Sequence, residues 1–369
     1  MRNTLLLFIP LPPPVHGSNI INSYVVDNLF LRDKYDVRVV PLHYATTNED
    51  IGKRPFLKLL KACKYCAELA RLDFKADIAY FVPALTGLPF YRDFVLCSLL
   101  KKKAEKLIIH LHGKGIRDKT KVHAIRIAYR YFFTGTYVIH LSSLLLSDLH
   151  GIADGITKIY SLPNGVEVGR AVYCNRGKVD KGVSLLFLSN LYRDKGLLTI
   201  LDACKILKSI NRQFVLNIIG NATRDLASPQ LQSEIEIRKL EGSVLYHGPS
   251  YGERKYAVLE KADVFVFPTG YKKECFPLVI IEAMAFCLPV ISTNEGAIPE
   301  IVENGKTGFV IAKNNPEALA DKLDLLINNP ALRRRMGRMG RQKYERKYTL
   351  KRFNESFVRI VDAIAEDEV

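Results

Sequence analysis

Short apolar segments of strand length alternate with segments of helical periodicity along nearly the whole chain. This alternation is typical of α/β proteins, in which helices connect parallel strands, and it constrains the fold more than any other feature. A helix is predicted after the first strand, from about Ser18 to Leu31. The predicted strands are Leu5–Pro10, Val37–Pro41, Ile78–Val82, Leu107–Leu111 and Tyr137–Leu141, and then Leu185–Ser189, Phe214–Gly220, Val244–Tyr246, Val264–Pro268 and Val290–Thr293.

The strand pattern starts afresh after a turn tripeptide at residues 163–165, so the chain is predicted to form two domains. A length of 369 residues suits two domains of ordinary size. We predict Rossmann-like domains over residues 1–163 and 164–345, and a C-terminal helix over residues 346–369. No apolar run approaches the roughly 20 residues of a membrane span, and the N-terminus lacks a signal-peptide pattern. A cytoplasmic protein is therefore predicted.

Cysteines and metal-ligand patterns offer little chemistry in this sequence. Seven cysteines are scattered, and only Cys63 and Cys66 form a CxxC pair, which favours ordinary thiols in a reducing compartment. The chain has no Asp-x-Asp and no His/Cys cluster with metal spacing. The sequence therefore predicts neither a metal site nor another cofactor.

The charge is unusually basic, which indicates anionic partners. The formal net charge is +16; residues 1–163 carry 23 Lys+Arg against 13 Asp+Glu, and the remainder carries 31 against 25. Basic residues are not interleaved with aromatics as in a nucleic-acid interface, so no nucleic-acid partner is predicted. Residues 53–71 are predicted to form a basic amphipathic helix that lies on an anionic membrane or packs its apolar stripe on the N-terminal sheet; both can hold for one helix, with the stripe inward and the lysines toward lipid. That predicted stripe is Phe56, Leu59, Leu60, Cys63 and Ala67, and the predicted basic positions are Lys58, Lys61, Lys64 and Arg71.

The segment 262–310 contains the most informative residues. A helix is predicted to begin at Pro277, because proline suits the first helical position, and the next two N–H groups then point out of the helix start. A helix N-terminus at the carboxyl end of a parallel strand is a natural phosphate site. Glu274 and Glu282 bracket this site, and carboxylates accept strong hydrogen bonds from vicinal hydroxyls. The pattern predicts a ligand with hydroxyls at both ends and a diphosphate between them.

Glu274-Cys-Phe-Pro-Leu-Val-Ile-Ile-Glu282 resembles the E-x7-E motif of the retaining glycosyltransferases of family 4. The resemblance covers essentially the whole chain and is strongest over residues 183–310. It implies the GT-B fold, with two Rossmann-like domains facing a central cleft and a C-terminal helix returning to the N-terminal domain. It also implies that Glu274 contacts sugar hydroxyls and Glu282 the ribose of a nucleoside-diphosphate sugar. Many members have glycine where this chain has Pro277.

A second segment, Phe187–Gly196, resembles the G-R-L-x-x-x-K-G motif of the same family, whose arginine and lysine neutralise the donor diphosphate. Lys195 matches the lysine, whereas Asn190 stands at the arginine position. Arg193 is close in sequence, and whether it supplies the second charge stays open. Gly220 and Gly248 each close a strand where the nucleotide would lie, although either could be a simple turn glycine.

The N-terminal half offers weaker matches to the family. Gly17 lies in a Pro-rich loop that resembles the loop next to the transferred sugar, and it leaves room for close backbone approach. His112 aligns with the family histidine beside the donor sugar, while His110 is interpreted as structural. The predicted catalytic residues are His112, Lys195 and Glu274, and the predicted donor-binding residues are Gly17, Arg193, Lys195, Gly220, Gly248, Glu274, Cys275, Phe276, Leu278, Val279 and Glu282.

These features favour a retaining glycosyltransferase that moves a sugar to a glycan or lipid-linked acceptor, as in bacterial surface-polysaccharide biosynthesis. The expected location is the cytoplasm, at the inner face of an anionic membrane. Two alternatives are a nucleotide-sugar epimerase of GT-B architecture and a non-catalytic sugar-binding partner subunit. An epimerase needs several acid/base carboxylates in the cleft, and the sequence shows no such set beyond the glutamate pair. The presence of Glu274, Glu282, Lys195 and His112 together argues against a partner subunit.

Overall fold

A computed structural model describes residues 2–14, 16–44, 55–169 and 182–367. The chain divides into two compact units. The N-terminal unit consists of Met1–Gly165 together with Leu350–Val369, and the C-terminal unit consists of Val166–Thr349. The sequence placed the two boundaries after residues 163 and 345. The last segment of the chain belongs to the N-terminal unit, as the GT-B resemblance implied.

The N-terminal unit is built on a parallel six-stranded sheet of order β2-β1-β3-β4-β5-β6. Its strands are β1 Thr4–Pro10, β2 Asp36–Leu42, β3 Ala76–Phe81, β4 Ala104–Leu111, β5 Tyr137–His140 and β6 Lys158–Ser161. Its helices are α1 Gly17–Val26, α2 Leu29–Lys34, α3 Pro55–Arg71, α4 Leu88–Lys103, α5 Ile116–Lys119, α6 His123–Phe133 and, from the end of the chain, α14 Leu350–Ala365. Its 3-10 turns are Ser143–Leu149 and Ala153–Gly155.

Both faces of this sheet are covered, which is why its strands are almost continuously apolar. Alternate side chains of a strand point to opposite faces. Phe81 on β3 belongs to the core that α3, α4 and α6 cover, while its neighbour Tyr80 packs against Phe357 of α14 with ring centroids 5.2 Å apart. Asp362 of α14 accepts a hydrogen bond from the Tyr35 hydroxyl at 2.8 Å. These contacts dock the C-terminal helix.

The C-terminal unit contains a second parallel six-stranded sheet, of order β12-β11-β10-β7-β8-β9. Its strands are β7 Val183–Leu188, β8 Phe214–Ile219, β9 Val244–Tyr246, β10 Val264–Phe267, β11 Val290–Thr293 and β12 Gly308–Ile311. Its helices are α7 Leu197–Ser209, α8 Ser228–Ile237, α9 Gly252–Lys261, α10 Leu278–Ala285, α11 Ile298–Ile301, α12 Pro316–Asn328 and α13 Pro330–Lys347, and a 3-10 turn spans Arg193–Lys195. Strand order reverses beside β7, so the loops after β7 and β10 leave the same edge at a switch point.

Two strands and one helix break differ from the sequence prediction. β6 and β12 are four-residue edge strands that the sequence did not predict, because neither contains a long apolar run. The single helix expected over residues 18–31 is two helices, α1 and α2, because the Asn28 side chain accepts the Leu31 N–H and starts a new helix. Pro277 is the residue before α10 and not its first helical residue.

The apolar stripe predicted on the basic helix is wrong over the part of α3 whose side chains are described, from Leu60 onward. Cys63 and Ala67 are exposed, as is Leu60, whereas Tyr65 and Leu69 face the core with Ala62. Phe56, Lys58 and Leu59 lie outside the described side chains, and Lys53 outside the described residues. Packing against the sheet therefore selects the face that carries Tyr65 and Leu69, and leaves even Leu60 exposed.

No helix within the described ranges is both long enough and apolar enough to cross a bilayer.

Candidate functional site

Lys195 and Glu274 meet at the carboxyl edge of the C-terminal sheet. Lys195 ends the 3-10 turn after β7, and Glu274 lies on the loop between β10 and α10. β7 and β10 are parallel neighbours, so their following loops emerge side by side. The Lys195 Nζ lies 2.5 Å from Glu274 Oε2, and the two side chains are 15% and 11% exposed. This charge pair is shielded on most sides yet still reaches the solvent.

Aromatic rings and a glycine hold Lys195 in place. Its ammonium lies 4.4 Å from the centroid of the Tyr271 ring, a distance typical of a cation–π contact. Gly196 follows with φ +86°, and a Cβ there would lie 2.2 Å from the Pro268 carbonyl oxygen. The close approach of these two loops therefore requires glycine. The Gly270 N–H donates to the Asp194 carbonyl at 2.7 Å and ties the same loops together.

The second motif glutamate has a lysine partner that sequence reasoning missed. Glu282 lies one helical turn into α10, and its Oε1 accepts from Lys255 Nζ at 2.6 Å. Both side chains are less than one-fifth exposed. Lys255 lies on α9, and no local pattern marks it, because the pairing depends on how α9 packs beside α10. Each glutamate of the E-x7-E motif is thus neutralised by one lysine from another element.

The start of α10 lies between the two pairs. Pro277 is extended (φ −69°, ψ 117°), and Leu278 and Val279 occupy the first two helical positions, whose N–H groups have no partner within a helix. Cys275 and Phe276 have buried side chains, and Phe276 packs on Tyr348 at 5.7 Å. Only the backbones of Cys275 and Phe276 are therefore suited to meet a ligand. The helix dipole adds partial positive charge at this point.

A glycine allows another loop to pack closely against the loop before α10. Gly296 has φ +56°, and a Cβ there would lie 2.4 Å from the Glu274 carbonyl oxygen. The next N–H, of Ala297, donates to the Cys275 carbonyl at 2.7 Å. Beside it, the buried Glu295 pairs with Lys313. The backbone that carries Glu274 is fixed by these bonds before any ligand arrives.

Gly220 and Gly248 mark the ends of the next two strands. Gly220 has φ +152°, and a Cβ there would lie 1.8 Å from the Ser189 carbonyl oxygen at the end of β7. Its N–H donates to the Gly248 carbonyl at 3.0 Å. Gly248 has φ +69° with open space around its Cβ position. Gly220 is therefore required by close packing, whereas Gly248 is required by its turn.

Arg193 does not lie with Lys195 and Glu274 in the described contacts. Its Nε donates to the Asp225 carbonyl at 3.1 Å, and its guanidinium lies 4.0 Å from the carboxylates of Asp225 and Glu234. Asn190, at the family's arginine position, accepts from the Asn221 side-chain amide at 3.1 Å. The β8–α8 loop and α8 therefore hold Arg193.

The N-terminal unit has its own cavity, of about 380 Å³, at the carboxyl edge of its sheet. Much of its wall is proline, and His112 lies at its edge just after β4. Gly17 begins α1 and is exposed, between two residues of the cavity wall. Asp93, which is 1% exposed, is held by both Nε and Nη2 of Arg92, at 2.6 and 2.8 Å. The Arg92 guanidinium also stacks on the Tyr44 ring at 3.5 Å.

His112 belongs to a buried cluster of neutral imidazoles. Burial lowers the pKa of His112 to about 3, with a further contribution from neighbouring His140 and His16. Its ring lies 4.1 Å from that of His110, whose Nδ1 is 2.6 Å from the Tyr80 hydroxyl. His140 Nδ1 accepts the Leu141 N–H at 2.9 Å. His112 can therefore act at neutral pH as a hydrogen-bonding group but not as a cation.

No cluster of three or more His, Cys, Asp or Glu side chains suited to a metal ion occurs in the part of the chain that the structure describes.

Two parallel sheets with connecting helices and a C-terminal helix in the N-terminal unit define the GT-B class of fold, and solved structures agree. HepE of Anabaena, solved in complex with UDP, superposes with a TM-score of 0.73 at 16% identity, covering 98% of this chain and all of that one. Residues 175–343 match the family model for glycosyl transferases group 1. This match covers 169 of the chain's 369 residues.

Curated relatives extend the similarity beyond the matched segment. The amylovoran biosynthesis glycosyltransferase AmsK of Erwinia amylovora is 28% identical over 276 residues, which cover 72% of this chain and 67% of that protein. The capsular polysaccharide biosynthesis glycosyltransferase CapM of Staphylococcus aureus is 32% identical over 168 residues, which cover 44% of this chain. The chain spans 41% of the length of CapM and 63% of that of WcaL, a putative colanic acid biosynthesis glycosyltransferase of Salmonella typhimurium.

Proposed function

We propose that this protein is a retaining glycosyltransferase that takes a sugar from a nucleoside diphosphate in surface-polysaccharide biosynthesis. The observation that carries the proposal is the pair of Lys–Glu contacts on either side of the α10 N-terminus, at the switch point of the C-terminal sheet. The match of residues 175–343 to the glycosyl transferases group 1 family supports it, as does the UDP bound by a protein of the same fold.

Each part of the donor has a chemical counterpart in this arrangement. The diphosphate is suited to the N–H groups that begin α10 and to the Lys195 ammonium, which together stabilise the charge that develops on the leaving group. Glu274 is suited to the hydroxyls of the transferred sugar, and Glu282 to those of the ribose. Binding then exchanges partners: Lys195 leaves Glu274 for the diphosphate, and the freed carboxylate accepts from the sugar.

The acceptor is a glycan or lipid-linked glycan, and its hydroxyl is suited to the cavity of the N-terminal unit. The neutral His112 at the cavity edge offers a hydrogen bond without adding charge. We also propose that the reaction needs no metal ion, since lysine and the helix N-terminus can supply the required positive charge. The protein works at the inner face of an anionic membrane, where its acceptor is anchored.

The decisive experiment offers purified protein a panel of nucleoside-diphosphate sugars and measures thermal stabilisation and slow donor hydrolysis. A ligand at about 100 times its Kd should stabilise the folded state by about 2.7 kcal/mol. Hydrolysis should continue in excess EDTA, and the anomeric configuration of the product reports retention. Stabilisation by a nucleotide sugar with no hydrolysis or transfer would instead favour a sugar-binding subunit, and a requirement for Mn²⁺ or Mg²⁺ would refute metal independence.

A further inference from the structure

The outer surface of α4 and α6 carries large apolar side chains that face solvent. On α4 they follow helical spacing, at Leu88, Tyr91 and Val95, which are 79%, 53% and 51% exposed. On and just before α6 they continue at Val122, Ile127 and Tyr131, each between 54% and 55% exposed. We call these six residues the α4–α6 face. Soluble proteins rarely expose large side chains in such a group unless the group meets a partner.

The two helices lie side by side, so the α4–α6 face is one surface. The Phe94 ring lies 5.4 Å from the Tyr131 ring, and Phe90 stacks on Tyr129 at 4.2 Å. At their C-terminal ends the Lys101 ammonium donates to the carbonyls of Tyr131 and Thr134, at 2.6 and 2.8 Å. These contacts bury the inner sides of both helices and leave the outer sides to form a shared apolar strip.

The charge around this face is strongly positive. Residues 88–134 contain 11 Lys+Arg against 3 Asp+Glu. Lys106 is not part of this face, because its ammonium donates to the Ile364 carbonyl of α14 on the other side of the sheet, and Arg92 pairs with the buried Asp93. Arg117, Lys119 and Lys121 are exposed immediately before Val122, and Lys102 is exposed near the end of α4. Exposed apolar residues, including tyrosines, flanked by lysine and arginine match the chemistry of an anionic lipid surface, whose headgroups attract cations while its interface accepts aromatic rings.

We propose that the α4–α6 face, and not helix α3, is the surface through which this protein docks on an anionic bilayer. Charge alone does not separate the two surfaces: on α3 Lys61 donates to the His43 carbonyl and Lys64 lies 3.6 Å from Glu68, while beside the α4–α6 face Lys121 lies 3.1 Å from Asp118. The α4–α6 face carries six large exposed apolar side chains, whereas among the described side chains of α3, from Leu60 onward, Leu60 is the only one.

Docking through this face brings the cavity of the N-terminal unit to the membrane surface. Helix α4 serves both: Pro89, Arg92 and Asp93 line the cavity, while Leu88, Tyr91 and Val95 lie on the neighbouring outer stripe. A lipid-linked acceptor could therefore stay in the bilayer while its headgroup enters the cavity. This consequence rests on the proposed transferase function, whereas the docking itself does not.

The experiment measures co-sedimentation of the full-length protein with vesicles of phosphatidylcholine alone or of equal parts phosphatidylcholine and phosphatidylglycerol, at low and high salt. The wild-type protein should bind only the anionic vesicles, and salt should weaken binding because it screens the charges. Each basic residue near an anionic surface contributes about a fivefold factor to binding. The triple variant R117Q/K119Q/K121Q should therefore bind about 100-fold more weakly.

Matched variants isolate the surface. R334Q/R335Q/R338Q removes three exposed arginines from α13 of the C-terminal unit and should lose far less binding. Leu88→Ser with Ile127→Ser should weaken anionic binding, whereas Ile237→Ser with Leu245→Ser, which are also exposed, should not. Circular dichroism and thermal denaturation establish that each variant is folded. Because all the substituted side chains are exposed, the variants should denature near the wild-type temperature.

Three outcomes would overturn the inference. One is that the α13 control R334Q/R335Q/R338Q loses as much vesicle binding as R117Q/K119Q/K121Q, which would show that binding depends on net charge alone. Another is that K58Q/K61Q/K64Q loses binding to anionic vesicles while R117Q/K119Q/K121Q keeps it, which would show that the protein docks through α3. The third is a concentration-dependent dimer that the Leu88→Ser and Ile127→Ser changes dissociate, with no vesicle binding. Donor hydrolysis in solution is measured in parallel, so absent hydrolysis with intact vesicle binding refutes the proposed function and leaves the docking surface standing.

Discussion

Replacing Lys195 with methionine separates its role in the fold from its role toward the donor. Methionine keeps an unbranched side chain against Tyr271 and removes only the ammonium, which lies 4.4 Å from the ring centroid and 2.5 Å from Glu274 Oε2. Loss of a group that stabilises developing charge lowers turnover by about 10²–10³-fold, or about 2.7–4 kcal/mol in the barrier. Lys195→Met should show a loss of that size in donor hydrolysis.

The same substitution leaves Glu274, which is 11% exposed, without its partner. An unsatisfied buried polar group costs about 1–3 kcal/mol, and the residual exposure of this carboxylate places the expected loss toward the lower end. Urea denaturation should therefore show a decrease of about 1–2 kcal/mol in the free energy of unfolding. The double variant Lys195→Met/Glu274→Gln removes the uncompensated charge and should recover most of that stability while remaining inactive.

Two results would refute this reasoning. Turnover of Lys195→Met within threefold of wild type would remove Lys195 from the donor site. Recovery of turnover in the double variant would mean that Lys195 serves only to balance Glu274. In the urea denaturation assay, the same change at a similar pair, Lys255→Met, shows how much of the loss of stability comes simply from breaking a partly buried Lys–Glu contact.

Three further predictions follow from the described contacts. Lys255→Met should raise KM for the donor about tenfold more than it lowers kcat, because Lys255 orients the carboxylate suited to the ribose and makes no contact with the reacting bond. Steady-state kinetics test this prediction, and an effect confined to kcat would contradict it. The pKa of His112 is 6.5 in the unfolded state and about 3 in the folded state, so between these pH values the unfolded state binds the proton. The free energy of unfolding should therefore decrease as pH falls from 6.5 toward 3. His112→Gln should show a smaller decrease, and an unchanged slope of the free energy of unfolding against pH would refute the shift. Gly220→Ala should cost about 3 kcal/mol or more because its Cβ meets a carbonyl oxygen. Gly248→Ala, at φ +69° with open space around its Cβ position, should cost about 1–2 kcal/mol in the same denaturation assay, and equal losses would contradict the packing argument.

The sequence alone determined the fold class and the strongest part of the candidate site. Apolar runs of strand length alternating with helical periodicity are local signals, and they predicted ten of the twelve strands of the two sheets. Glu274 and Glu282 could be found because one strand-to-helix connection carries both. Lys195 could be found because it ends a similar connection after β7.

Tertiary structure decided which side chains meet. The pairing of Glu282 with Lys255 and the engagement of Arg193 by Asp225 and Glu234 join elements that are distant in sequence, so no local pattern encodes them. Helical periodicity predicted the wrong buried face of α3 from Leu60 onward, and only packing against the sheet selected Tyr65 and Leu69 for burial. β6 and β12 are recognisable as strands only because a neighbouring strand supplies their hydrogen bonds. Periodicity reports which residues share a face, whereas contacts between elements depend on the order and spacing of the strands that carry them.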